Sequence, residues 1–325
     1  MNPTVLRTTV ATLNATLVAG VLSAVWPSST PAKSQPPLPV VEVRPALGDD
    51  TWAPPAWFPE TTDQRLWVLE DLDGSAVASR GPRIKASSAI VADLDRGEIL
   101  WSKDADTPRS IASLTKMFAA LALVSDESVD LDRRICLGPE QWPSRPGGHS
   151  KFSTGECHAG WEYLGGALVA SDNRGAFSLP AIADAEFDTF VDRMGDVATD
   201  LRATSASFTD PAGLEDENTA SARDVLKAVV AVASHPVLSA VASAPWWTID
   251  EGRGQRRVNS TNRLVEAYDT LAAKTGYTDT ARYCFATVVR TASGRTLASV
   301  VLGSPSSGSR FTDTRAMLTW ADQQP

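Results

Sequence analysis

The sequence predicts an α+β fold in which a single antiparallel sheet takes its strands from both ends of the folded region. Two β-rich runs come first, a helical middle follows, and three more β-rich runs and a helix complete the order. Strands at the two ends need partners, so we expect them to meet in one sheet while the helical middle forms a separate lobe. A cleft between the sheet and this lobe is the expected place for a site.

Alternating apolar and polar residues identify the strands. Residues 87–93 (SSAIVAD) and 98–102 (EILWS) flank a D-R-G sequence, which is typical of a hairpin turn. The C-terminal third returns to strands, and an A-S-G turn separates the last two of them. These three predicted strands are residues 271–276, 283–290 and 297–303.

Helical periodicity identifies the middle and the end of the chain. The run SLTKMFAALALV, which begins at Ser113, predicts a buried helix rich in alanine and leucine. Ser221 or Thr219 is the expected N-cap of a later amphipathic helix. The other predicted helices are Ala159–Ala170, Glu186–Ala198, Ser221–Ala233 and a closing helix, Thr312–Trp320.

Composition limits the function classes. A chain of 325 residues with 43% hydrophobic residues suits one large globular domain or two modest ones. The net charge of −9 argues against nucleic acid or an anionic membrane surface as partner, because either would need a basic face. The cysteines and histidines form no cluster with metal-ligand spacing, so no metal is expected. Cys136 and Cys157 are close enough in sequence for a local disulfide if the chain is exported, whereas Cys284 is expected to be buried.

The N-terminal segment has the composition of an export sequence. Residues 8–26 carry no charge and follow Arg7, so residues 1–26 are predicted to be a signal peptide or an uncleaved N-terminal membrane anchor. Residues 27–60 are rich in proline and are predicted to be an extended linker. The catalytic domain is therefore expected to occupy residues 61–325.

Three short motifs occur in a fixed order along the chain. They are Ser113-Leu-Thr-Lys116 at the start of the first helix, Ser171-Asp172-Asn173 after the second, and Lys274-Thr275-Gly276 on a C-terminal strand. Each motif alone is weak, but class A β-lactamases and penicillin-binding proteins combine all three. A second Ser-x-Asn sequence, Ser260-Thr261-Asn262, is set aside because it precedes a strand instead of closing the helical lobe.

The first motif predicts a nucleophile and its base. Residues i and i+3 lie on one face of a helix, so Lys116 is within reach of Ser113. A serine hydroxyl needs an adjacent base, and a lysine serves if burial and a neighbouring cation, here Lys274, lower its pKa. The N–H groups of Ser113 and Tyr277 are the expected donors to an oxyanion.

The other two motifs predict substrate contacts. Ser171 relays a proton to the leaving amine, and Asn173 holds a substrate amide or orients the catalytic lysine. Lys274 and Thr275 bind a terminal carboxylate. Gly276 is expected to let substrate approach an edge strand, where a side chain would block it.

At these residues the sequence resembles the D-alanyl-D-alanine carboxypeptidase family of low-molecular-weight penicillin-binding serine peptidases. The likeness includes the hairpin and first motif, a Pro-Gly-Leu loop, the K-T-G strand with the turn before it, and the closing helix. The corresponding segments are residues 89–116, 208–225, 259–285 and 300–318.

The resemblance implies a five-stranded antiparallel sheet flanked by helices, with an all-α lobe. It implies acyl transfer in which Ser113 attacks the bond between two terminal D-alanines of a peptidoglycan stem peptide, without metal or organic cofactor. Penicillins, as mimics of that dipeptide, would acylate the same serine. The middle motif departs from the family's usual pattern, and the departure is expected to leave Arg174 near the mouth of the cleft.

Two alternatives remain open at the level of sequence. A class A-like β-lactamase would share the three motifs and would need a glutamate after the helical lobe, where Glu215 and Glu217 occur. A catalytically inactive cell-wall-binding protein on the same fold is the other alternative. The presence of every named catalytic group argues against it.

Overall fold

The structure is a computed structural model and describes residues 72–139, 150–252 and 254–325. The predicted export segment, residues 1–26, and the predicted linker, residues 27–60, lie outside the described residues, as does the start of the predicted domain. The strands are β1 (Ser88–Asp93), β2 (Glu98–Lys103), β3 (Arg109–Ser110), β4 (Arg134–Cys136), β5 (Cys157–Ala159), β6 (Thr219–Ala220), β7 (Trp246–Asp250), β8 (Gln255–Asn259), β9 (Asp269–Thr278), β10 (Arg282–Arg290) and β11 (Thr296–Ser304).

The main sheet confirms the predicted fold. Its strand order is β2-β1-β11-β10-β9, and every pair of neighbours is antiparallel. The N-terminal hairpin joins the C-terminal strands through β1 and β11, whose register pairs Ser88 with Leu302 and Asp93 with Leu297. The strand that carries the K-T-G motif, β9, forms one edge of this sheet.

Helices cover the main sheet on both faces, which explains why β1, β10 and β11 are buried along most of their length. Ile90 and Ala92 of β1 face a core shared with helices of the lobe, whereas Ala89 and Val91 face a second core closed by the last helix. The helices are α1 (Thr115–Val124), α2 (Gly160–Leu168), α3 (Asn173–Phe177), α4 (Leu179–Ile182), α5 (Phe187–Asp200), α6 (Ala222–Ser234), α7 (Pro236–Ser243) and α8 (Ser307–Asp322).

The structure agrees with the predicted start of one helix and differs from that of another. Ser221 proves to be the N-cap of α6, because its hydroxyl accepts the N–H of Asp224 and the Asp224 carboxylate accepts the N–H of Ser221. Helix α1 begins two residues later than predicted. Ser113 lies instead in a 3-10 turn, Ala112–Leu114, because Ala112 adopts a left-handed conformation with φ of 49°.

Several elements were not predicted: the short strands β3 to β6, the hairpin of β7 and β8, and the helices α3, α4 and α7. A disulfide joins Cys136 to Cys157 across β4 and β5, as their spacing allowed, and Cys284 is buried in the core. Within the described ranges no single helix is long and apolar enough to span a membrane. One bent pair, α6 with α7 at 104°, meets those criteria of length and composition.

Candidate active site

The predicted nucleophile and its base are in direct contact. Lys116 Nζ lies 2.9 Å from Ser113 Oγ, because the 3-10 turn runs into α1 and places residues i and i+3 on one side. The turn follows β3, which pairs with β6, and the N–H of Ile111 donates to Asn218 O at 3.1 Å. These backbone contacts fix the start of the turn that carries the half-buried serine.

The amine of Lys116 is fully buried and surrounded by oxygen. Besides Ser113 Oγ, it contacts Asn173 Oδ1 at 2.8 Å and the carbonyl oxygen of Ala212 at 2.7 Å. Burial lowers the pKa of Lys116 to about 7, and the carboxylates of Asp210 and Asp172 oppose that shift. A base with a pKa near neutrality is half deprotonated at physiological pH, so the group is suited to accept a serine proton.

The two lysines are electrostatically coupled. Lys274 is buried, and its pKa is well below the usual range because of burial first, then the charges of Lys116 and Arg310. Burial is also the main cause of the lowered pKa of Lys116. Repulsion between two like charges lowers the pKa of an amine in such a pair.

The S-D-N turn reaches both lysines. Ser171, with φ of 58°, accepts a hydrogen bond from Lys274 Nζ at 2.7 Å, whereas Asn173 contacts Lys116. Asp172 points the other way, because its carboxylate caps α3 through the N–H of Gly175 and accepts the hydroxyl of Ser150. With Ser171 in the left-handed conformation, the side chains of Ser171 and Asn173 face the two lysines, whereas the side chain of Asp172 faces away from them.

The edge strand β9 completes the group of predicted residues. Lys274 Nζ also donates to Thr275 O at 2.9 Å. A Cβ at Gly276 would lie 2.8 Å from Ile111 O and 3.3 Å from the backbone nitrogen of Ser113. The glycine therefore permits the close approach of β9 to the turn that carries Ser113, and its predicted role in admitting substrate stays a prediction. Tyr277, which follows, is 46% exposed at the strand edge.

Three features of the site were missed or misplaced by sequence reasoning. Thr261, in the Ser-x-Asn copy that was set aside, contacts Thr275 Oγ1 at 2.7 Å, and its N–H donates to Val169 O at 3.0 Å. This turn therefore connects the helical lobe to β9, and the duplicated motif was the signal for it. Asp210 and the carbonyl of Ala212 belong to no motif.

Arg174 was expected near the cleft mouth, and this expectation was wrong. Its side chain is buried, and its guanidinium donates to Phe152 O at 2.6 Å and to Thr154 Oγ1 at 3.3 Å. The residue after the S-D-N turn thus fastens the neighbouring loop, which the disulfide at Cys157 also restrains. Among residues 72–139, 150–252 and 254–325, no group of three or more potential ligands is arranged to hold a metal ion.

Comparison with known proteins places this arrangement in a family. A model of the D-alanyl-D-alanine carboxypeptidase family matches residues 75–306. The chain belongs to this family. The match confirms the predicted family and favours a serine D-Ala-D-Ala peptidase over the two alternatives.

Individual members of the D-alanyl-D-alanine carboxypeptidase family share about a quarter of their residues with this chain. A D-alanyl-D-alanine endopeptidase of Escherichia coli is 27% identical over 76% of this chain and 81% of its own length. A D-alanyl-D-alanine carboxypeptidase of Mycobacterium tuberculosis is 28% identical over 67% of this chain and 75% of its own. The crystal structure of a D-alanyl-D-alanine carboxypeptidase from M. tuberculosis H37Rv superposes with a TM-score of 0.68 at 26% identity, covering 78% of this chain and 95% of that one.

Proposed function

We propose that this chain is a serine-type D-Ala-D-Ala carboxypeptidase that acts on peptidoglycan stem peptides through an acyl-enzyme on Ser113. The observation that carries the proposal is the buried Lys116 amine, in contact with Ser113 Oγ at 2.9 Å and with a pKa of about 7. A serine paired with a deprotonated amine in a dry site is an activated nucleophile. The family match supports the peptide substrate.

Acylation begins with proton transfer from the serine hydroxyl to the neutral amine. Ser113 Oγ attacks the carbonyl carbon between the two D-alanines, a C–O bond forms, and the proton passes to Lys116 Nζ. In this mechanism the N–H groups of Ser113 and Tyr277 are the donors that stabilise the negative charge on the former carbonyl oxygen. The ammonium that results retains acceptors at Asn173 and Ala212.

Departure of the terminal D-alanine requires a proton on its nitrogen. Ser171, hydrogen-bonded to Lys274 at 2.7 Å, relays the proton taken up by Lys116 to that nitrogen as the C–N bond breaks, which returns Lys116 to its neutral form. Lys274 and Thr275 bind the terminal carboxylate of the substrate, and no cofactor takes part. Water then attacks the ester at Ser113, with Lys116 accepting the water proton, and releases the shortened stem peptide. A β-lactam opens its ring in the same first step and leaves a covalent adduct.

We further propose that the chain is exported to the periplasm or cell envelope. Residues 1–26 would act as a signal peptide or as an N-terminal membrane tether, and residues 27–60 as the linker to the catalytic domain. The Cys136–Cys157 disulfide supports this location, because such bonds persist in oxidising compartments.

The test is mass spectrometry of the intact protein after exposure to penicillin. We expect one adduct on the wild-type protein, none on Ser113→Ala, and one on the control Ser125→Ala, whose hydroxyl donates to Ala122 O at the end of α1. A wild-type protein without an adduct would overturn the proposed mechanism. Rapid turnover of nitrocefin without an accumulating adduct would support the β-lactamase alternative instead.

An endopeptidase is a second candidate, because the E. coli relative is named as one. The two activities share the acyl-enzyme and differ in the leaving group, which is free D-alanine or a cross-linked stem. Release of D-alanine from a monomeric pentapeptide, measured beside cleavage of a cross-linked dimer, separates them. We expect the monomer to be the better substrate.

A further inference from the structure

The third acceptor of the Lys116 amine comes from outside the three motifs. Ala212 O, 2.7 Å from Nζ, belongs to the turn D-P-A-G-L-E at residues 210–215. A neutral lysine amine has two N–H donors and one lone pair. With Asn173 Oδ1 and Ala212 O taking the two donors, the lone pair is directed at Ser113 Oγ, the orientation that a general base needs.

A single carboxylate organises the turn that presents this carbonyl. Asp210 is 3% exposed and accepts hydrogen bonds from successive backbone groups and one side-chain amide. Both of its oxygens are used, so the turn wraps around it. The donors are Ala212 N at 2.7 Å, Gly213 N at 2.7 Å, Leu214 N at 3.1 Å, Glu215 N at 3.0 Å and Asn218 Nδ2 at 2.7 Å.

The same turn is packed directly on the nucleophile. Gly213 has φ of 73°, and a Cβ there would lie 1.9 Å from Ala112 O and 2.7 Å from Thr115 Oγ1. The carbonyl of Asn218 accepts the N–H of Ile111 from the other side. The turn is therefore packed against the segment that carries the serine, and a change in the turn is expected to shift the Ala212 carbonyl relative to Ser113.

We propose that Asp210 is a positioning residue for the general base, holding the 210–215 turn so that the Ala212 carbonyl fixes the orientation of the Lys116 amine towards Ser113. This role rests on the proposed function, in which Lys116 accepts the serine proton. It assigns a catalytic consequence to a residue that lies outside all three motifs.

The charge of Asp210 adds a second, separable effect. The groups that act electrostatically on the buried Lys116 amine are the carboxylates of Asp210 and Asp172, which raise its pKa, and the cation Lys274 beside it. Asp172 is engaged by Ser150 and the cap of α3. Removal of the Asp210 charge alone therefore moves the pKa of Lys116 further down.

The test compares Asp210→Asn with Asp216→Asn in the full chain. Asp216 lies in the same segment but is half-buried and bonded away from the site, with Thr280 as its hydrogen-bond partner at 2.7 Å. The measurement is the second-order rate constant for acylation by penicillin from pH 5 to 9, with the folded fraction of each variant checked by circular dichroism. In Asp210→Asn the NH2 group of the new side chain replaces an oxygen that accepts backbone N–H groups. Two donors cannot form a hydrogen bond, so the 210–215 turn loses part of the hydrogen bonding that shapes it.

For Asp210→Asn we expect a plateau rate lower by roughly tenfold to a hundredfold. We also expect the acid limb of the pH profile, in which the rate falls as the pH is lowered, to move to lower pH by about half a unit or more. Asp216→Asn should keep the wild-type plateau rate and the wild-type position of the acid limb. An Asp210→Asn variant with a wild-type plateau would overturn the positioning role of Asp210, and an unmoved limb would overturn its charge effect; both results would leave the proposed function intact. A wild-type protein that is not acylated would overturn the proposed function itself.

If Asp210→Asn does not fold, Ala212→Gly carries the same test with a smaller perturbation. It keeps the carboxylate and the carbonyl but loosens the backbone between them. We expect a plateau several-fold lower with the acid limb unmoved, because the charge is unchanged. A plateau equal to that of the wild type would overturn the positioning role.

Discussion

The pH dependence of acylation tests the base assigned to Ser113 more directly than any substitution. Lys116 accepts a proton only when its amine is neutral, so the rate constant for acylation follows its deprotonated fraction. The pKa of this amine is about 7 because the group is fully buried, compared with an ordinary value of 10.5. With this lowered pKa, most of the amine is neutral above pH 7 and most of it is protonated below pH 7.

The magnitude follows from these two values. With a pKa of about 7, roughly one tenth of the amine is neutral at pH 6 and roughly nine tenths at pH 8. The rate constant should therefore rise about tenfold across that interval and level off above it. With the ordinary pKa of 10.5 it would rise about a hundredfold over the same interval and continue to climb.

The assay is stopped-flow measurement of penicillin acylation at low ligand concentration, which reports the pKa of the free enzyme. Lys116→Arg, which has no accessible neutral form, should lose acylation at every pH. Lys85→Arg, at an exposed position, should keep the wild-type profile. A wild-type rate that still climbs tenfold per unit between pH 8 and 9, or that does not change from pH 5 to 9, would refute the reasoning.

Two further substitutions test the packing around the site. Gly276→Ala should lower the acylation rate about a hundredfold, because its Cβ would lie 2.8 Å from Ile111 O. The control Gly195→Ala, at a position with open space around it, should leave the rate unchanged. Equal rates for the two variants would contradict the packing argument. Replacing both Cys136 and Cys157 by serine should lower the free energy of unfolding by about 3 kcal/mol for a separation of 21 residues, as measured by urea denaturation, and an unchanged midpoint would contradict this estimate.

Much of the fold could be predicted because its signals are local. The strands observed at β1, β10 and β11 lie within one residue or so of the predicted runs, since alternation and apolar runs reflect burial on a sheet. The start of α1 could not be predicted in the same way. Ala112 carries no sequence signal for a left-handed conformation, and its backbone is held there by the close packing of Gly213 and Gly276.

The candidate site also combines features with a local sequence signal and features that depend on tertiary packing. Sequence alone determined which residues are proposed to carry chemistry, because Ser113, Lys116, Ser171 and Lys274 stand in motifs whose order and side-chain types match one reaction class. Only the tertiary structure decided how they are arranged. It joins residues 96 and 103 positions apart, buries two amines beside each other, and supplies the Ala212 carbonyl and the Asp210 carboxylate. Such contacts depend on how distant segments pack, and the pKa of a buried amine depends on that packing, so neither is encoded in a local pattern.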